Sequence, residues 1–183
     1  EEFMGKSLFI AEKPSVAQEF AKALKEPMTR KDGYLESEHA VVTWCVGHLV
    51  TMSYPEKYDI KYKRWMLETL PFLPEEFKYE VIPAVKKQFE IVSGLLNRED
   101  VETIYVCTDS GREGEYIYRL VAMMAGVKEK TQKRVWIDSQ TEEEILRGIS
   151  EAKDISEYDN LSESAYLRAK EDYLMGINFS RLL

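Results

Sequence analysis

The chain has 183 residues, 44% of them hydrophobic, and a formal net charge of −8, enough to bury one sizeable core with at most a small appendage. No apolar run approaches the roughly 18 residues of a membrane span and no signal-peptide pattern opens the chain, so a soluble, cytoplasmic protein with no membrane partner is expected. The acidic balance excludes a module that holds nucleic acid through bulk electrostatics, so any DNA contact must be local.

In chain order, Glu1 to Phe3 precede Met4 and read as an expression remnant. "SLFIA" (7–11) is a short apolar strand, followed by Ser15 and Gln18 at capping-box spacing and by Val16, Phe20 and Leu24 on one helical stripe. "YLESEHAVVTWCVG" (34–47) alternates and then turns wholly apolar, as in a hairpin whose second strand is central. Residues 50–83, rich in proline and aromatics, read as a long irregular excursion, and excursions of that length are often functional. Val85, Phe89, Val92 and Leu96 mark a helix, "TIYVCT" (103–108) a buried strand, and Ile117, Leu120, Val121 and Met124 a second helix stopped by Gly126. "RVWI" (134–137) reads as a further strand, and Thr141 with Glu144 caps a helix carrying Ile145 and Ile149. From Asn160, paired with Glu163 as a capping box, Ala165, Ala169, Tyr173 and Ile177 recur every fourth residue in a helix still running at Leu183. That last helix, residues 156–183, is expected to be the start of a following domain and residues 4–155 to be the main one. Alternating strands and helices imply an α/β fold with a parallel sheet covered by helices on both faces. Cys45 and Cys107 fall in apolar runs and are expected to be buried structural thiols.

In open parallel sheets, ligands bind beyond the carboxyl ends of the strands. Two charged clusters fall there, Glu12-Lys13 after "LFIA" and Asp109 to Glu115 after "TIYVCT". Pro14 should hold Lys13 extended at the strand exit. Gly111 and Gly114 let the second loop turn tightly beside a helix N-terminus that favours acidic groups and phosphates. Carboxylates converging from two loops would repel one another without a cation, and Mg²⁺ with carboxylates, waters and a phosphate would resolve the repulsion. The plainer alternative is that Glu113 and Glu115 cap a helix and Asp109 forms a turn.

"FIAEKPSVA", "TWCVGHL", "YKRWMLETLPFLPEEF", "TDSGREGE" and "LRAKEDYLMGINFSRLL" resemble, in this order, the Toprim domain of type IA DNA topoisomerases, most of all the bacterial topoisomerase III group. The resemblance spans nearly the whole chain. It implies that Glu12 is the catalytic glutamate, assisting proton transfer at the DNA 3′-oxygen, and that Lys13 contacts the scissile phosphate. It further implies that Asp109 and Glu113 are the first and third acids of an Asp-x-Asp-x-Glu metal motif, with Glu12 approaching the same Mg²⁺. Arg112 matches the arginine of that motif and His48 a histidine near the active site. Trp65, Tyr173 and Arg181 match positions that touch single-stranded DNA. One departure stands out: Gly111 replaces the second motif acid, which predicts weaker Mg²⁺ binding.

Enzymes of this family cut one DNA strand through a tyrosine in a later domain, and none of the 11 tyrosines here lies in a matching context. The resemblance therefore implies a chain that holds the acid and metal half of the reaction, depends on the remaining domains of a parent enzyme, and is monomeric and inactive alone. A receiver-type Mg²⁺-dependent phosphoacceptor domain and a Toprim module of primase-like, nuclease-like or non-catalytic use are the other classes kept open.

Overall fold

The computed structural model describes residues 5–182; the leader preceding Met4 lies outside them. Strand β1 (Lys6–Ala11) runs through the middle of a seven-stranded sheet, followed by helix α1 (Pro14–Leu24). Strands β2 (Thr29–Lys31), β3 (Tyr34–Glu36) and β4 (Ala40–Trp44) form an antiparallel meander that brings β4 parallel to β1. After β5 (Val50–Met52) and β6 (Tyr79–Val81), which pair apart from the main sheet, α2 (Lys86–Leu96) leads into β7 (Val101–Cys107), the other parallel neighbour of β1. Helix α3 (Arg112–Ala125), β8 (Thr131–Arg134), α4 (Glu142–Ser150), β9 (Lys153–Asp154) and α5 (Asp159–Leu182) complete the chain. The sheet order is β2-β3-β4-β1-β7-β8-β9, parallel at its four central strands and antiparallel toward both edges.

The central strands are apolar on both sides because both sides are covered. Strand periodicity sends Leu8, Ile10, Ile104 and Val106 toward α2, α3 and α5, while Phe9, Ala11, Tyr105 and Cys107 face α1 and α4. Each large apolar side chain buried in these two layers contributes about 1.5–3 kcal/mol. The helices on the two faces and the buried free thiols of Cys45 and Cys107 match the expectation.

Three boundaries differ. Helix α1 begins at Pro14, not behind a Ser15 cap: Lys13 takes the N-cap position with extended φ −143° and ψ 154°, as a residue before proline must, and no side chain caps it. Strand β8 occupies residues 131–134, three residues earlier than "RVWI", because its partner β7 ends at Cys107 and the last rung between them is Val135 N–H donating to the Val106 carbonyl at 3.0 Å. Helix α5 starts at Asp159 as the continuation of a 3₁₀ turn (Ile155–Tyr158) and not at an Asn160 cap. Elsewhere the caps are as read. Thr141 accepts from Glu144 N–H at 3.3 Å, and Gly126, at φ +67°, ends α3 in the left-handed conformation.

The excursion is short 3₁₀ turns, irregular backbone and the small β5-β6 pair, and the second half of α5 holds it. The Asn178 carboxamide accepts from Phe72 N–H at 2.6 Å and donates to the Phe72 carbonyl at 3.0 Å, and Tyr173 O–H donates to the Ser53 carbonyl at 2.6 Å. The first half of α5 buries Ser162 and Ala165 against α3. Among the described residues no helix is long and apolar enough to cross a membrane.

Candidate functional site

The parallel strands end together, and their exits set the site. Cys45 N–H donates to the Ala11 carbonyl at 2.8 Å and Gly47 N–H to the Glu12 carbonyl at 3.1 Å, which fixes Glu12 beside the loop carrying His48. From the neighbouring exit, Asp109 N–H donates to the Glu12 carboxylate at 3.2 Å. Glu12 is buried and Asp109 exposed. Desolvation, reinforced by the charge of Asp109, raises the Glu12 pKa above its ordinary value, with the Asp109 backbone bond and Lys13 pulling the other way. Lys13 and Arg112 are exposed at the first turns of α1 and α3.

Glu113 is the correction to the expected trio. Its carboxylate turns away to His48, with Nε2 and Oε1 2.5 Å apart, and among the described residues no three His, Cys, Asp or Glu side chains converge on a common metal position. The physical reason is the α3 start. Glu113 sits one residue into the helix, on the face toward His48, Tyr116, Arg168 and Asp172, which together with Arg112 line a groove of about 550 Å³ between α3 and α5. The structure thus brings Glu12 next to Asp109, and His48 next to Glu113, as two adjacent pairs.

Gly111 adopts φ +149° and ψ −179°, a conformation essentially confined to glycine. A Cβ there would meet nothing within 4 Å, so backbone conformation, not space, selects the residue. Gly114 is chosen for space: a Cβ would lie 1.9 Å from the Asp109 carbonyl oxygen, so the loop and the first turn of α3 pack backbone on backbone.

Trp65 and Arg181 meet, with the guanidinium carbon 5.5 Å from the ring centroid. Trp65 is 63% exposed, while Arg181 is buried, donates to the Tyr62 carbonyl at 2.5 Å and keeps a buried Nε without a partner. Tyr173 stands elsewhere. It packs edge-on against Phe72 and Phe77 and spends its hydroxyl on Ser53, so it anchors the excursion and does not offer a free stacking face.

Sequence reasoning missed Arg134, Arg168 and Asp172. Arg134 is fully buried, as is Glu115, and their Nε and Oε2 lie 3.3 Å apart. Glu115 also accepts from Arg119 Nε at 2.8 Å. Both Glu115 oxygens face arginines inside the protein, so Glu115 does not supply the acid missing at Gly111. An arginine heading the apolar "RVWI" run was the available signal for Arg134, because a cation there is buried and must be paired. Arg168 and Asp172 carried none beyond helical spacing.

A Toprim domain family profile matches residues 7–139. DNA topoisomerase 3 of Bacillus thuringiensis (strain Al Hakam) is 47% identical over 180 residues, covering 98% of this chain and 24% of that protein. DNA topoisomerase 3 of Staphylococcus epidermidis is 43% identical over 178 residues, 97% of this chain and 25% of that protein, and that of Bacillus subtilis (strain 168) is 43% identical over 180 residues, 98% and 24%. The chain thus spans about a quarter of the length of these relatives.

Proposed function

The chain belongs to the Toprim domain family, and from that premise we propose that it is the acid and metal half of a type IA DNA topoisomerase that acts in the cytoplasm on single-stranded DNA. The observation that carries this reading is the contact of Glu12 with the Asp109 backbone at the carboxyl ends of β1 and β7, where burial and the nearby charge of Asp109 make Glu12 costly to ionise and basic groups flank the pair. The relatives named DNA topoisomerase 3 match 97–98% of its length. A cleaving tyrosine and the remaining domains would come from outside this chain, with the boundary near residue 155.

The donor set fits one Mg²⁺. Glu12 and Asp109 are adjacent hard oxygen donors that would hold the ion, which would relieve the repulsion between them, and Glu113, bonded to His48 in this structure, would add a third donor only by leaving that partner. When bound, the ion supplies positive charge at the scissile phosphate. The protein's own groups do the rest. The raised pKa of Glu12 suits it to hold and return a proton at the 3′-oxygen, Lys13 and Arg112 hold the phosphate, and His48 sets the position of Glu113. Trp65 offers an exposed ring for a base, and the buried Arg181 guanidinium, 5.5 Å from its centroid, holds that ring in place.

The test fuses this chain to the complementary part of a DNA topoisomerase 3 and looks for DNA linked to protein after denaturation. The fusion should yield a Mg²⁺-dependent adduct that Asp109→Ala strongly reduces, and the isolated chain should yield none. Adduct from the isolated chain would overturn the reading.

A further inference from the structure

The loop between β7 and α3, residues 108–111, carries Asp109 two residues before Gly111, and its own sequence does not fix the direction of that carboxylate. Something outside the loop holds it. Arg134, at the end of β8, reaches under the loop with a planar fork. Nη1 donates to Thr108 Oγ1 at 2.7 Å and to the Val106 carbonyl at 3.4 Å; Nη2 donates to the Thr108 carbonyl at 2.6 Å and to the Asp109 carbonyl. Thr108 Oγ1 passes the constraint on by donating to the Gly114 carbonyl at 2.7 Å, across the place where Gly114 already lies against Asp109. The cation under the loop is fully buried, and Glu115, equally buried, is its counter-charge. Two charges withdrawn from water are tolerated only where geometry and remaining hydrogen bonds compensate, and here nearly every donor of the fork ends on the segment that carries Asp109.

We propose that Arg134, with Glu115 as buried counter-charge and Thr108 as relay, is the positioning residue that aims Asp109, and with it the Glu12 contact, for a divalent cation. The inference rests on the metal reading above and adds the residues that set its geometry. Arg134 touches no substrate; it acts through the loop backbone. Lysine could balance Glu115 but cannot serve four acceptors spread in one plane, so the fork and not the charge carries the role. Residues that orient metal ligands typically change affinity 10–100-fold when replaced.

The experiment titrates the chain with Mn²⁺ and follows the loss of the free-ion electron paramagnetic resonance signal, with melting temperatures measured without metal. Arg134→Lys and Thr108→Val should each weaken Mn²⁺ binding by about tenfold. Val92→Ala, a core change on α2, should lower the melting temperature and leave affinity intact. Amide exchange at Asp109 and Gly114 should quicken in Arg134→Lys. Unchanged affinity in both loop variants would overturn the proposal, as would an equal loss in Val92→Ala, which would make the effect one of general stability. If Arg134→Lys fails to fold, Thr108→Val decides, since it keeps the side-chain shape and removes only the relay. Asp109→Asn separates the two layers of argument. Loss of Mn²⁺ binding in it keeps the metal reading even where the positioning role fails, whereas unchanged binding defeats the metal reading and this inference together.

Discussion

The two ends of the central sheet treat acidic residues in opposite ways. At the amino end, Lys6 Nζ lies 2.6 Å from Glu36, Arg98 bonds the same Glu36 carboxylate, and Arg98 Nε lies 2.6 Å from Asp100. Both acids are held below their ordinary pKa, in each case mainly by hydrogen bonds from Arg98. At the carboxyl end Glu12 is desolvated beside Asp109 and its pKa rises. The amino end is a closed network of opposite charges that stabilises the fold, while the carboxyl end keeps like charges together at a cost in stability, which is where ligand chemistry is expected.

The contrast can be broken from either side. Replacing Arg98 with alanine strips both acids of their main partner. Unfolding in urea should show a loss of roughly 2–3 kcal/mol, below the full value for a buried pair because the network is about a quarter exposed. Gly111→Asp tests whether the carboxyl end lacks a ligand or needs a special backbone. The positive φ predicts a metal-free domain destabilised by roughly 1–2 kcal/mol with little gain in Mg²⁺ affinity by calorimetry. Tighter Mg²⁺ binding at an unchanged melting temperature would reverse that conclusion. Glu12→Gln removes the desolvated charge. The metal-free protein should gain stability on the order of 1 kcal/mol at neutral pH while its thermal response to Mg²⁺ falls.

The smallest effect is a two-sided pH profile of the melting temperature. Glu36 and Asp100, with folded pKa values depressed from 4.5 and 3.8, contribute stability that is present above those values and lost as pH falls through the folded ones. Glu12, raised above 4.5, favours the folded state at low pH and loses that contribution as pH rises through its folded pKa. The acid limb should shrink in Arg98→Ala, where Lys6 alone still holds Glu36, and the gentle decline above about pH 4.5 should shrink in Glu12→Gln. A profile that both variants leave unchanged would dissolve the contrast.

Much of this was legible in the sequence because local signals carried it. The apolar runs of β1 and β7, the Pro14 constraint on Lys13 and the Gly126 stop each depend on a few neighbouring residues, and each was read correctly. The proximity of Glu12 and Asp109 followed from the rule about strand exits. The turn of Glu113 toward His48 could not be read, because it depends on which face of α3 meets a loop 65 residues away. Tyr173 and Arg181 lie eight residues apart on one helix, and only the course of the excursion decides that one is an anchor and the other a neighbour of Trp65. The burial of Glu115 was hidden by its company, an acid among acids, whose partner Arg134 arrives from another strand.

Asn178 extends this dependence on chemistry over shape. A primary amide offers a donor and an acceptor side by side, and Asn178 spends both on the backbone of Phe72, as an adjacent strand would. Aspartate has the same outline but no N–H, so it would set an oxygen against the Phe72 carbonyl. Deamidation of this single side chain, invisible to any measure of volume, would therefore turn the clasp between excursion and helix into a repulsion and free the segment that carries Trp65.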